Sequence, residues 1–139
     1  MLVSMIHPFI VHITLTLILL FGMLEIFPKL KETRIAPFGL AIRKMTLLFL
    51  ILALFSGVMT LTWIERRNVQ APKAVSIHYF MALFGSILYF ILGINYRHSS
   101  QLWQPLAVGG ILSILTAAAI GGKLVYLGHL GTALFPIPH

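Results

Sequence analysis

The sequence predicts an all-α membrane protein: a polytopic, up-down bundle of four transmembrane helices. Three observations carry that expectation. Of 139 residues 59% are hydrophobic and only 9% charged, against about 25% charged in an ordinary soluble domain. Four apolar runs are each close to the ~20 residues that cross a bilayer. The stretches between them are short, which makes successive helices antiparallel neighbours. The whole chain, 1–139, reads as a single transmembrane domain, with no length left for a separate soluble one.

The first run covers about 7–27, carries no Lys, Arg or Asp, and ends at Pro28 with Lys29 and Lys31 behind it. The segment before it has no basic region, and no small-x-small cleavage site follows. It therefore reads as an uncleaved span and not a signal peptide. The second run covers about 45–64, with Trp63 as an interfacial anchor and Glu65-Arg66-Arg67 as its stop. The third covers about 74–96, with Pro72 suited to its first turn, where a proline forfeits no helical bond. The fourth covers about 105–126, and its one charge, Lys123, lies where a long side chain reaches the interface. Barrel strands are about ten residues long with alternating polarity, a pattern these runs lack. The tail 132–139, with Pro136 and Pro138, reads as lying along the membrane surface.

Ten Lys and Arg stand against three acids, Glu25, Glu32 and Glu65. In short loops between apolar runs such an excess is a topology signal and not a nucleic-acid footprint. Lys29, Lys31, Arg34, Arg43, Lys44 and Arg97 fall on one side, and Arg66, Arg67, Lys73 and Lys123 on the other. Six against four places both termini outside the cytoplasm. With no Cys, disulfides, thiolate metal sites and covalent haem attachment are excluded. No Gly-rich phosphate loop, paired carboxylates or nucleophile–base arrangement is visible, so an electron carrier or complex subunit is expected rather than a free-standing enzyme.

The histidines carry the chemistry. His7 and His12 begin the first span, His78 begins the third and His129 follows the fourth, so four of six gather at one end of an up-down bundle. His98 falls on the other side and His139 in the tail. With the first span starting near Ile6 and the third near Pro72, His12 and His78 are each six residues in, at about 9 Å along their helices. Two neutral imidazoles at one depth on non-adjacent helices suit a metal, and in particular haem iron. Arg66, Arg67 and Lys123 lie at the same end to pair with haem propionates. The plainer reading of any single His near a helix end is an interfacial residue.

Other polar residues weigh less. Glu25 reads as interfacial, with proton movement as the alternative. Ser56, Thr60 and Thr62 can bond their own helix. Tyr79, Phe80, Phe84 and Tyr89 form a stripe that suits either core packing or the flanks of a haem. The small residues Gly109-Gly110, Ala117 to Ala119 and Gly121-Gly122 let helices approach closely, or make room for a flat cofactor. Their stretch is longer than packing within four helices requires, so part of it is expected to face another subunit.

Two motifs then stand out. His7-Pro8-Phe9-Ile10-Val11-His12 resembles the H-P-x-x-V-H opening of a family of small bacterial membrane proteins of unknown function. Gly121-Gly122-Lys123-Leu124-Val125-Tyr126, with His129 and Gly131 beyond, is similar to that family's G-G-x-L-V-Y ending. Ile77-His78-Tyr79 with Ala82 resembles its third-helix histidine. The chain departs where Ile13-Thr14 replaces a frequent proline, where Lys123 stands for a common acid, and where the last histidine is displaced to position 129. The family is similar in plan to b-type cytochrome membrane proteins. The resemblance implies a bacterial inner membrane and a place in respiratory electron transfer.

The combined expectation is a membrane electron-transfer subunit with b-type haem near the outer face. His12 and His78 are its favoured metal ligands, with His7, His129, Arg66, Arg67 and Lys123 around the cofactor. Its partners would be the lipid bilayer and other membrane subunits of a redox complex, and quinone is admitted among them. The rivals are a cofactor-free accessory subunit of a respiratory or photosynthetic complex, and a transporter or copper-handling protein. Reporter fusions after Thr33, Gln70, Ser100 and the C-terminus should alternate between cytoplasmic and external signals. Two adjacent junctions on one side would refute the four-span topology.

Overall fold

The computed structural model describes residues 2–27, 36–66, 73–94 and 102–126. They form four helices: α1 (Leu2–Ile26), α2 (Ala36–Arg66), α3 (Lys73–Ile94) and α4 (Trp103–Tyr126). Each contains a stretch long and apolar enough to cross a bilayer: Ile6–Ile26, Phe38–Trp63, Lys73–Ile94 and Trp103–Leu124. Among the expected residues, Lys29, Lys31, Arg34, Arg67, Arg97, His98, His129, His139 and the tail lie outside the described residues.

Two helices begin earlier than the apolar runs suggest. α1 starts at Leu2, so Pro8 lies inside it and removes one ladder bond. α2 starts at Ala36, so Arg43 and Lys44 are helical residues and not loop charges. Pro37 sits in the first turn of α2, where its missing N–H costs nothing. A basic side chain near a helix end extends toward the interface without ending the helix.

α1 packs chiefly on α2 and α3 chiefly on α4. α1 and α4 close one side of the bundle, and α2 and α3 touch more sparsely on the other. Lipid gives no hydrophobic drive for helices to associate, so interdigitation and hydrogen bonds between helices must hold them. Thr14 and Thr46 each bond their own helix and also reach across, Thr14 Oγ1 to Phe49 O (3.2 Å) and Thr46 Oγ1 to Leu17 O (3.2 Å). Ser113 Oγ donates to Met81 O (2.8 Å) and ties α4 to α3. Many large apolar side chains, among them Phe9, Phe55, Phe80 and Leu112, are exposed on the outside, as a lipid-facing surface requires.

Tyr89 is the centre of the interior. It is fully buried, its ring meets Phe21 at 5.6 Å, and its hydroxyl donates to Ile18 O at 3.0 Å. Glycines make the space it fills. A methyl group on Gly22 would come within 2.7 Å of its hydroxyl oxygen, and one on Gly110 within 2.8 Å of its ring. Ile18, Leu50, Leu92, Ala107 and Ile114 complete the buried core.

This packing corrects two expectations. Phe80 and Phe84 are exposed on the outside, so the aromatic residues of α3 do not form one inward stripe. The small residues of α4 are largely used inside the bundle: Gly110 receives Tyr89, and Gly121 receives a histidine described below. Only Ala119 is exposed and only Gly122 meets open space among those expected to face a partner. Gly110→Leu should therefore damage the fold itself, at about 1–3 kcal/mol or more from overpacking. Tyr89→Phe should cost about 0.6 kcal/mol, the average for a hydrogen bond between membrane helices. Midpoints of unfolding in a denaturing-detergent titration should rank wild type, Tyr89→Phe, then Gly110→Leu. Equal midpoints for Gly110→Leu and wild type would refute this packing.

Candidate functional site

At the end of the bundle where α1 and α3 begin, a cavity opens among all four helices. His7, Val11 and Thr14 of α1, and Ala53 and Gly57 of α2, form part of its wall, and α3 adds His78 and Ser86. α4 contributes Ile114, Ala117 and Ala118. It measures about 70 Å³ and is partly open to the outside. The wall is almost wholly apolar. That volume holds a few waters, at roughly 15–30 Å³ each, and falls short of the ~300–1,000 Å³ range of ligand clefts.

The structure brings His78 together with His7, and not with His12. The reason is register. The Tyr89–Ile18 bond pairs α1 and α3 at an offset of 71 residues, and the same offset sets His78 level with His7. Each lies five residues from its helix start, at Leu2 and Lys73, or about 7.5 Å along the axis. The sequence-based depth placed the start of the first span near Ile6, and the longer α1 shifts the matching position by about one turn. His12 is five residues beyond His7, or about 140° further round the helix. It is exposed, and its Nδ1 donates to Pro8 O at 2.6 Å, within its own helix.

Each cavity histidine is held by a different neighbour. His78 Nδ1 donates to Ala117 O on α4 at 2.7 Å, since a carbonyl only accepts. The hydroxyl of Ser56 donates to Ala53 O at 3.0 Å, so its oxygen accepts from His7 Nδ1 at 2.8 Å. Both rings therefore carry their proton on Nδ1 and keep the Nε2 lone pair. Glycines seat both imidazoles: a methyl on Gly57 would come within 3.2 Å of His7 Cε1, and one on Gly121 within 2.8 Å of His78 Cε1. The bond from His7 gives Ser56 a role that its helix-capable chemistry concealed.

The remaining expected residues fall as follows. Arg66 and Lys123 are exposed in the last turns of α2 and α4, at the same end as the cavity. Arg67 and His129 are outside the described residues. Tyr79 lies on the cavity rim and Tyr89 in the core below it. Glu25 is buried among the helices at the opposite end of the bundle, in the last turn of α1.

Among the described residues no group of three or more His, Asp or Glu converges to hold a metal ion. Two imidazoles alone suit a metal that arrives with further ligands of its own, as haem iron does with its four ring nitrogens. No protein-family model, curated protein or solved structure matches this chain.

The absence of cysteine allows a clean accessibility test. A single cysteine at position 12 (His12→Cys) should react quickly with a lipid-soluble maleimide, and one at position 78 (His78→Cys) slowly. Equal rates in the folded protein would refute the inward and outward placement of these two positions.

Proposed function

We propose that this chain is a membrane electron-transfer subunit that holds one b-type haem at the histidine end of the bundle, where His7 and His78 would be its ligands. The observation that carries the reading is the pair of imidazoles at one depth on diagonal helices, flanking a shared apolar cavity. Each has its Nδ1–H committed to an acceptor and its Nε2 lone pair left for a metal. Such a bond on the far nitrogen fixes the ring and raises its basicity as a ligand.

The donor set fits the group. The porphyrin brings the ligands that the chain lacks, and with no Cys the attachment is non-covalent. When bound, haem supplies one-electron transfer. His7 and His78 would hold it, the apolar wall would exclude water, and Arg66 and Lys123, with Arg67 next in sequence, would be on offer to its propionates. The cavity's 70 Å³ takes only part of a macrocycle, so the group would also extend through its open side. Electrons would pass between membrane redox subunits or quinol and an acceptor on the face that the charge bias places outside the cytoplasm. The family resemblance is consistent with this place in a bacterial respiratory-type complex.

A second reading is a cofactor-free accessory subunit. It is favoured by the same two bonds seen as fasteners: His7–Ser56 ties α1 to α2, and His78–Ala117 ties α3 to α4. An absorption spectrum of the purified, dithionite-reduced protein separates the two. The haem reading expects a reduced-minus-oxidised band that is lost in His7→Ala and in His78→Ala and kept in His12→Ala. A colourless, stably folded wild type purified from haem-replete cells would overturn it in favour of the accessory subunit.

A further inference from the structure

We propose that the bundle interior is a proton relay, running from Glu25 through the Tyr89 hydroxyl to the floor of the histidine cavity. The proposal is independent of whether haem is bound. It begins with α1. His7 and Glu25 are 18 residues apart, which is five whole turns, so both lie on one face, about 27 Å apart along the axis. That length is most of a ~30 Å hydrocarbon core. Thr14, Ile18, Phe21 and Glu25 are buried along this face. A carboxyl group buried in a membrane span is costly to keep and marks proton or ion pathways elsewhere.

Tyr89 fills the gap between the two ends. Its hydroxyl lies against Gly22, one turn before Glu25, and is bonded to Ile18 O, one turn after Thr14. Ser86, one turn before Tyr89 on α3, lines the cavity floor with Thr14. Along α1 the hydroxyl therefore stands about one turn from Glu25 and one to two turns from Thr14, ~5–11 Å, gaps that one or two waters bridge. In the transfer, the Tyr89 oxygen accepts a proton from the Glu25 carboxyl and releases its own toward the cavity. The hydroxyl then rotates back to Ile18 O, so the phenol carries no net charge. The other groups at the Glu25 end are Arg43 of α2 and Trp103 and Gln104 of α4, the last donating to Ile26 O at 3.1 Å. Lys44 of α2 is at the same end and exposed. The apolar cavity wall keeps water there transient, which makes a slow relay and not an open pore.

The test uses the full chain as purified, reconstituted in liposomes with an internal pH dye and a valinomycin-set potassium potential. Wild type should move protons several-fold faster than empty liposomes. Glu25→Gln and Tyr89→Phe should both fall to the empty-liposome rate, and Thr62→Ala, at an exposed site, should match wild type. Helical circular dichroism checks folding. Tyr89→Phe keeps the ring in its glycine notch and decides the matter if Glu25→Gln does not fold. A wild type no faster than empty liposomes, or a folded Tyr89→Phe that conducts like wild type, would overturn the proposal. Neither result alters the haem spectrum, so the two readings fail separately.

Discussion

The arrangement depends on one buried side chain, Tyr89. In water, burial of apolar surface would press these helices together; in lipid that force is missing, and close contact must come from shape and hydrogen bonds. Tyr89 supplies both. Its ring enters the notch between Gly22 and Gly110, and its hydroxyl bonds Ile18 O across the diagonal of the bundle. A slip of one residue would move the ring by about 1.5 Å and turn it by about 100°, out of that notch. The contact therefore sets the register of α1 against α3, and that register makes His7 and His78 neighbours.

The cavity repeats the logic at smaller scale. A glycine on the neighbouring helix admits each imidazole, and an acceptor on that helix orients it. The small residues of α2 and α4 thus act as seats for rings on α1 and α3. Polar groups inside the bundle are satisfied by backbone carbonyls, as in the bonds of Thr14, Thr46, Ser86 and Ser113. The cavity itself keeps an apolar wall beside two fixed imidazoles.

What was legible in the sequence is what depends on composition and period alone. Twenty apolar residues in a row cross a bilayer whatever their partners, so the four spans, the all-α class and the gathering of histidines at one end followed from the chain itself. The starts of α1 and α2 did not follow, because the first span was begun at the apolar run and Arg43 and Lys44 were counted as loop charges. α1 runs through Pro8 at the loss of one ladder bond, and Arg43 and Lys44 extend from a helix that continues beneath them.

The pairing of functional side chains was a tertiary decision. His7 and His12 share a motif and a helix, and only direction separates them: one faces the bundle, the other lies about 140° around the axis. Sequence carries that angle but not the point on the circle that faces inward, which Tyr89 and its glycines settle through packing. The same holds for Glu25, whose burial is invisible in a run of apolar neighbours, and for Ser56, whose hydroxyl serves its own helix and another helix's histidine at once. Sequence determined that this chain lives in the membrane with His7, His12 and His78 at one end of its bundle. Tertiary structure decided which of them meet, because facing and register arise between helices and not within one.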